Sequence, residues 1–296
     1  MLILKGASHE VNAVRFTPDG RGLVWSTERG DQVWPDWSSG GNPVAASPGM
    51  TAPAFSPDER YVLGASGGNL VLCDQTAGTT TVLDPELPAS VVGYATFTPD
   101  GRRVIISLND WPTCDLRCIQ IEAPHPVVWR ARTDDLVAHL AFVNAGRFVA
   151  FEYEVQVCGL VAVTHDAATG KPVGDVRVNV PDLQGLTTSP DRRWLVGYHA
   201  TKFLVYQSAD LAAGPVTVRN TSRKAFSGLA FHPAGRWLAA TSTDGTVKLY
   251  DVATWAVART FDWGIGRLRS VAFSPDGTVA AAGGDKGRVV VWDFDE

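Results

Sequence analysis

Phe273-Ser-Pro-Asp-Gly277 has two close copies upstream, Phe16-Thr-Pro-Asp-Gly20 and Phe97-Thr-Pro-Asp-Gly101. Four weaker copies lie between them. Phe55-Ser-Pro-Asp58 runs into Glu59, Phe142-Val-Asn-Ala-Gly146 and Phe231-His-Pro-Ala-Gly235 keep the ends, and Thr188-Ser-Pro-Asp191 keeps the middle. The seven copies are spaced 39 to 46 residues apart, which is the period of a four-stranded β-propeller blade. The repeat runs unbroken from Phe16 to Phe273. The 296 residues therefore read as one domain, 1–296, all-β and seven-bladed.

The last repeat shows how one blade is written. Arg269-Ser-Val-Ala-Phe-Ser274 alternates as a strand does. Pro275-Asp276-Gly277 is a turn in which Pro fixes φ, Asp bonds back to the backbone and Gly accepts positive φ. Residues 278–282 form a second strand, Gly283-Gly-Asp-Lys-Gly287 a second turn, and Arg288-Val-Val-Val-Trp-Asp293 a third strand rich in β-branched residues. Earlier repeats carry a fourth strand, at 79–83, 173–180 and 256–261. The last does not.

Leu2-Ile-Leu-Lys5 precedes the first blade without a partner there. It is expected to pair with residues 288–293 and close the propeller, because closure removes exposed strand edges. Burial of Leu2 and Leu4 would then contribute roughly 3–6 kcal/mol.

Composition excludes several classes. The formal net charge is −5, with no basic tail or Lys/Arg run, so the footprint of a nucleic-acid binder is missing. The first five residues are too short for a signal peptide, and no apolar run reaches membrane-span length. Four scattered cysteines, Cys73, Cys114, Cys118 and Cys158, suit a reducing cytoplasm.

The third strands carry a family resemblance. Gly287-Arg-Val-Val-Val-Trp-Asp293, Gly245-Thr-Val-Lys-Leu-Tyr-Asp251 and Gly68-Asn-Leu-Val-Leu-Cys-Asp74 resemble the Gly-x-Val-x-Leu-Trp-Asp signature of the WD-repeat family. Residues 30–36 fit loosely, with Pro35 in the Trp place. Many blades of that family carry a Gly-His pair whose His bonds to Ser/Thr, Asp and Trp. Here the corresponding places hold Gly6-Ala7, Thr221-Ser222 and Trp263-Gly264, so that network is absent or rebuilt. The resemblance implies a non-enzymatic scaffold that binds a protein or peptide, with no cofactor.

Candidate sites follow from the repeat. Arg21, Arg60, Arg102, Arg147, Arg193 and Arg236 share one slot after the turn, which Thr278 takes in the seventh copy. They form either an anion-binding surface or local pairs with Asp19, Asp58, Asp100 and Asp191, and the local pairing is the simpler reading. Cys114 and Cys118, with His125 nearby, lack the spacing of a zinc knuckle, so no metal is expected. The histidines are dispersed, and no catalytic constellation stands out.

The loop Leu108-Asn-Asp-Trp-Pro-Thr-Cys114 breaks the repeat. It makes Trp111 and Pro112 candidate partner-binding residues. Lys202, Asp244, Arg267, Arg269 and Lys286 are expected on the same face. Trp37 is a second exposed candidate, on the opposite face. The expected protein is a cytoplasmic monomer with a protein or peptide partner, and with neither nucleic acid nor membrane as a ligand. The rival readings are a lactonase-like propeller hydrolase and a purely structural subunit. The small apolar first strands, such as Ser270-Val-Ala-Phe273, argue against the hydrolase.

Overall fold

The repeated phrase folds as a closed hydrogen-bond unit. The computed structural model describes residues 1–5, 9–27, 30–39, 44–45, 51–58, 60–66, 68–88, 92–110, 113–133, 135–154, 159–173, 178–180 and 183–294. In five copies the Ser or Thr hydroxyl donates to the turn Asp: Thr17 to Asp19, Ser56 to Asp58, Thr98 to Asp100, Ser189 to Asp191 and Ser274 to Asp276. The same Asp oxygen accepts the backbone N–H two residues on, from Arg21, Arg60, Arg102, Arg193 or Thr278. The Ser or Thr oxygen accepts a third N–H, from Gly22, Tyr61, Arg103, Trp194 or Val279, and so fixes the start of the second strand.

This geometry explains the shared Arg slot, since what the turn requires there is a backbone donor. Three of the guanidinium groups lie over aromatic rings. Those of Arg60, Arg193 and Arg236 lie 4.8, 5.1 and 4.7 Å from the ring centroids of Tyr61, Trp194 and Trp237. Arg60 also pairs with Asp74 at 2.7 Å. Where the phrase departs from consensus, the chemistry is rebuilt. His232, in the Ser place, accepts from the Ala234 N–H at Nδ1, and its Nε2–H donates to Gly277 of the next blade at 3.0 Å. Gly277 has φ +75°, and a Cβ there would come within 2.5 Å of that imidazole.

The turn carboxylates set an acid limit. The Thr17 hydroxyl holds the Asp19 carboxyl below its usual range, and Ser189 and Ser274 do the same for Asp191 and Asp276. A depressed folded-state pKa gives stability that is present above the unfolded value and lost as pH falls through the folded one. The urea midpoint should therefore be flat at neutral pH and fall below about pH 4. A variant with all three residues changed to Asn should fall less steeply. An unchanged acid limb in that variant would refute the assignment.

Each such turn joins the first two strands of a sheet, and the chain forms seven four-stranded antiparallel sheets. Blade 1 comprises Ala13–Phe16, Leu23–Thr27, Gly30–Trp34 and Val44–Ala45. Blade 2 comprises Thr51–Phe55, Tyr61–Ser66, Asn69–Asp74 and Thr79–Pro88. Blade 3 comprises Val92–Phe97, Arg103–Asp110, Thr113–Gln120 and Val127–Thr133. Blade 4 comprises Val137–Asn144, Arg147–Glu154, Gly159–Asp166 and Val178–Val180. Blade 5 comprises Gly185–Thr188, Trp194–His199, Lys202–Gln207 and Val216–Arg219. Blade 6 comprises Phe226–Phe231, Trp237–Ser242, Thr246–Asp251 and Val257–Asp262. Blade 7 takes Leu268–Phe273, Val279–Gly284 and Arg288–Asp293 from its own repeat. The fold is an all-β, seven-bladed propeller.

The fourth strand of blade 7 is Leu2–Lys5, as the strand count requires. It pairs antiparallel with Arg288–Asp293, with Leu2 opposite Val291 and Lys5 opposite Arg288. One detail differs from expectation. Leu4 is buried, at 4% exposure, but Leu2 is 37% exposed. Leu4 packs with Val11, Trp25 and Val289, while Ile3 points the other way, onto the Leu249, Val290 and Trp292 cluster. Leu4 and Ile3, not Leu2, supply the apolar hold.

The register also corrects the first blade. Phe273, Ala280 and Trp292 form one cross-strand row in blade 7. The equivalent row in blade 1 is Phe16, Leu23 and Trp34. Trp34, not Pro35, therefore takes the Trp place, and it is buried. Gly30 already pairs with Thr27 inside the ladder, whereas Gly287 precedes its strand, so counting from the glycine misplaces the row by one. In blade 4 the place is held by His165, opposite Phe148. Its ring stacks on Phe148 at 5.0 Å, and its Nδ1–H donates to Gly170 at 3.0 Å.

By contacts the chain divides into two units. One holds residues 1–49, 183–206 and 215–296, and the other 50–182 and 207–214. The first has apolar clusters around Trp25 and Val289, around Leu268 and Trp292, and around Phe203 and Tyr250. The second has clusters around Leu72 and Ile106, and around Ile105, Cys118 and Phe148.

Candidate partner-binding face

Each blade has two ends. The base carries the Pro-Asp-Gly turns. The other end, here called the top, carries the second-to-third-strand turns and the connections to the next blade. Lys202, Asp244, Arg267 and Lys286 all fall at the top of blades 5, 6 and 7, within one unit. The backbone brings three of them together. A Cβ on Gly245 would meet the Gly266 carbonyl at 2.8 Å, and one on Gly266 would meet the Lys286 side chain at 3.1 Å. The Asp285 N–H donates to the Arg267 carbonyl at 3.0 Å.

Arg269 stands on the first strand of blade 7, and its guanidinium pairs with Glu10. Trp111 and Pro112 lie outside the described residues. They fall between Asp110 and Thr113, which pair across the blade 3 turn. Gly6, Ala7 and Cys158 are outside the described residues as well.

Asp244 belongs to a network within blade 6. Its Oδ1 accepts from the Thr246 hydroxyl at 2.6 Å and the Thr246 N–H at 3.0 Å, and its Oδ2 lies 3.5 Å from Lys248 Nζ. Lys248 is 4% exposed, and its Nζ donates to Asn220 Oδ1 at 2.8 Å. Asn220 in turn donates to the Ser242 hydroxyl at 2.9 Å. Burial alone would push the Asp244 carboxyl up. The hydroxyls of Ser222 and Thr246, the Thr246 N–H and the Lys248 charge outweigh it and hold that carboxyl well below the usual carboxylate range. In blade 6 the Gly-His network is therefore rebuilt, with Ser222 in the His place and an added buried lysine.

With Asp244 spent on Lys248, the top of blades 5 to 7 is basic. Three residues that sequence reading missed extend it: Arg219, Arg223 and Lys224, all exposed. Arg219 sits directly opposite Lys202 across the third and fourth strands of blade 5. Arg223 is held at φ 59° in the turn into blade 6, with its N–H on the Asn220 carbonyl. No slot of the repeat marks these residues. The available signal was the density of cations in the stretch Arg219-Asn-Thr-Ser-Arg-Lys224.

Other sequence candidates have structural roles. Cys114 and Cys118 share one face of a blade 3 strand and are buried beside Ile105 and Phe148. Burial pushes both thiols up to about 11. Among the described residues no three His, Cys, Asp or Glu side chains gather to hold a metal ion. Trp37 is not an exposed anchor. It packs on the blade 1 core, and its Nε1–H donates to the Gly20 carbonyl at 3.0 Å. Polar groups on the first strands join neighbouring blades: Ser227 donates to Leu268 at 2.7 Å, and Ser270 accepts from Val14 at 3.1 Å. Among the described residues no helix is long and apolar enough to cross a membrane.

The family model "WD domain, G-beta repeat" matches residues 215–251 and 259–293. Both matches end on a third strand that keeps the signature, at Asp251 and Asp293. The chain thus carries two matched WD repeats, and its seven four-stranded antiparallel sheets around the same repeat make it similar to the WD-repeat β-propellers. One similar protein is "Target of rapamycin complex subunit wat1" of Schizosaccharomyces pombe, 28% identical over 111 residues, covering 38% of this chain and 35% of that protein. Another is "Ribosome biogenesis protein BOP1" of Mus musculus, 47% identical over 51 residues, covering 17% of this chain and 7% of that protein. The chain thus spans well under two thirds of either relative.

Proposed function

We propose that the chain is a non-enzymatic scaffold, a single propeller domain over residues 1–296, that binds a protein or peptide partner at the top of blades 5 to 7. The observation that carries this reading is the row of charged side chains, Lys202, Arg219, Arg223, Lys224, Arg267 and Lys286, placed at strand ends and in the turns at the top of blades 5 to 7. Loops on such a framework select a partner while the strands fix their positions. One relative is by name a subunit of a complex, which agrees with this reading. Arg269 borders the face, and Asp244 braces it from within. Trp111 and Pro112 form a separate proposed contact on blade 3. On the same reading the protein works as a monomer in the cytoplasm, where the unpaired Cys73, Cys114 and Cys118 stay reduced.

A photo-crosslinking residue at Arg267, compared with one at Arg236 on the base of blade 6, tests the proposal in extract of the native cell. An adduct is expected from position 267 and not from 236. Adducts from 236 alone would move the binding face to the base. None from either position in a folded protein would defeat the scaffold reading and reopen the hydrolase.

A further inference from the structure

We infer that the top of blades 5 to 7 docks an acidic segment of its partner protein. This rests on the scaffold reading and gives the partner a chemistry. Lys202 and Arg219 are directly opposed in the ladder, and like charges in that position oppose folding. Arg223 and Lys224 add two more cations in the next turn, and Arg267 and Lys286 continue the arc over blade 7. Among the described residues, none of these six cations makes an ion pair with a carboxylate. Three nearby acids are engaged otherwise. Asp244 faces Lys248 at 3.5 Å, Glu10 holds Arg269, and Asp262 Oδ1 accepts the Gly264 N–H at 2.9 Å.

In a chain of net charge −5, such a concentration of one sign makes a local positive field that attracts and orients an anionic partner. An Asp/Glu-rich polypeptide fits better than a nucleic acid. Among the described residues the arc lacks an open stacking platform for bases. Trp263, the aromatic nearest to Arg267 in the chain, is closed between Phe261 at 5.5 Å and Trp292 at 4.6 Å.

Fluorescence anisotropy with a short labelled Glu/Ser peptide tests this on the full chain. The peptide should bind, and binding should weaken as salt is raised. A Gln/Ser peptide of equal length should not bind. The triple variant Lys202→Glu, Arg219→Glu, Lys224→Glu should weaken binding by at least ~10-fold. The single variant Lys202→Glu guards against loss by unfolding. It turns the opposed pair into an attractive one, so it should melt at or above the wild-type temperature while binding the peptide more weakly.

Equal binding by the Gln/Ser peptide, or unchanged affinity in the variants, would overturn the inference. Tighter binding of an oligothymidylate than of the Glu/Ser peptide would overturn it in favour of a nucleic acid. If the partner crosslinked at position 267 is still captured by the triple variant, the scaffold reading stands and acidic docking falls. If neither peptide nor partner binds, both fall.

Discussion

Replacing Asp244 by alanine is expected to destabilise the protein by about 3 kcal/mol, the low end of the cost of breaking a buried ion pair. The low end applies because the Asp244 side chain keeps 17% of its exposure while that of Lys248 keeps 5%. Most of the loss comes from what is left behind. The lysine would retain Asn220 as a close acceptor at 2.8 Å but would have no counter-charge within the blade. Thr246 would also lose the acceptor of both its N–H and its hydroxyl. The melting temperature should fall by roughly 5–10 °C. Adding Lys248→Met should recover part of that, because an apolar side chain of similar length needs no counter-charge. A single Asp244→Ala variant as stable as wild type would show that the network contributes nothing. A double variant no better than the single would show that the stranded charge is not the cause.

Deleting residues 1–5 is expected to cost more, about 4–6 kcal/mol. Burial of Leu4 and of the inner side of Ile3 accounts for about 3–4 kcal/mol of it. The remainder comes from exposing Val289 and Val291, now 2% and 1% accessible, along an unpaired strand edge. A fall of at least about 10 °C in melting temperature should follow, with increased aggregation. Point variants sharpen the test. Leu4→Ala should cost about 2–4 kcal/mol, and Leu2→Ser should stay within about 0.5 kcal/mol, as an exposed position does. Equal costs at Leu2 and Leu4, or an unchanged melting temperature for the deletion, would contradict the packing described.

Much of the architecture was legible because the turn chemistry repeats in the primary sequence. Ser274, Asp276 and Gly277 announce their hydrogen bonds by their identities, and a count of strands per repeat was enough to assign Leu2–Lys5 to the last blade. The strand was placed correctly but its anchor was not. Leu2 and Leu4 alternate identically in sequence, and only the structure shows that Leu4 meets Val11 and Trp25 while Leu2 remains over a third exposed. Trp34 is hard to place from the sequence because Gly30 lies inside the ladder, so the distance from the glycine does not mark the row.

The candidate face was half legible. Lys202, Arg267 and Lys286 occupy turns that the repeat defines. Arg219, Arg223 and Lys224 lie in a connection with no counterpart in the phrase. The charge of Asp244 looked available because its partner is hidden. Lys248 sits between Val247 and Leu249, which face the core, and shares the other face of the strand with Tyr250. A lysine in a strand reads as solvent-facing until Asn220, in the turn into blade 6, is placed beside it.

The pairing of Leu2 with Val291 also orders events during synthesis. Leu2–Lys5 needs a strand that is made after blades 1 to 6, so no nascent chain short of Val291 can complete blade 7. Until then Leu4 and Ile3 lack their strand partner, and the blades of the earlier repeats assemble ahead of that pairing from local contacts. Translational pausing just before Val291 is made would therefore prolong a species with a bare strand and an unfilled sheet, the state most open to a chaperone or a protease.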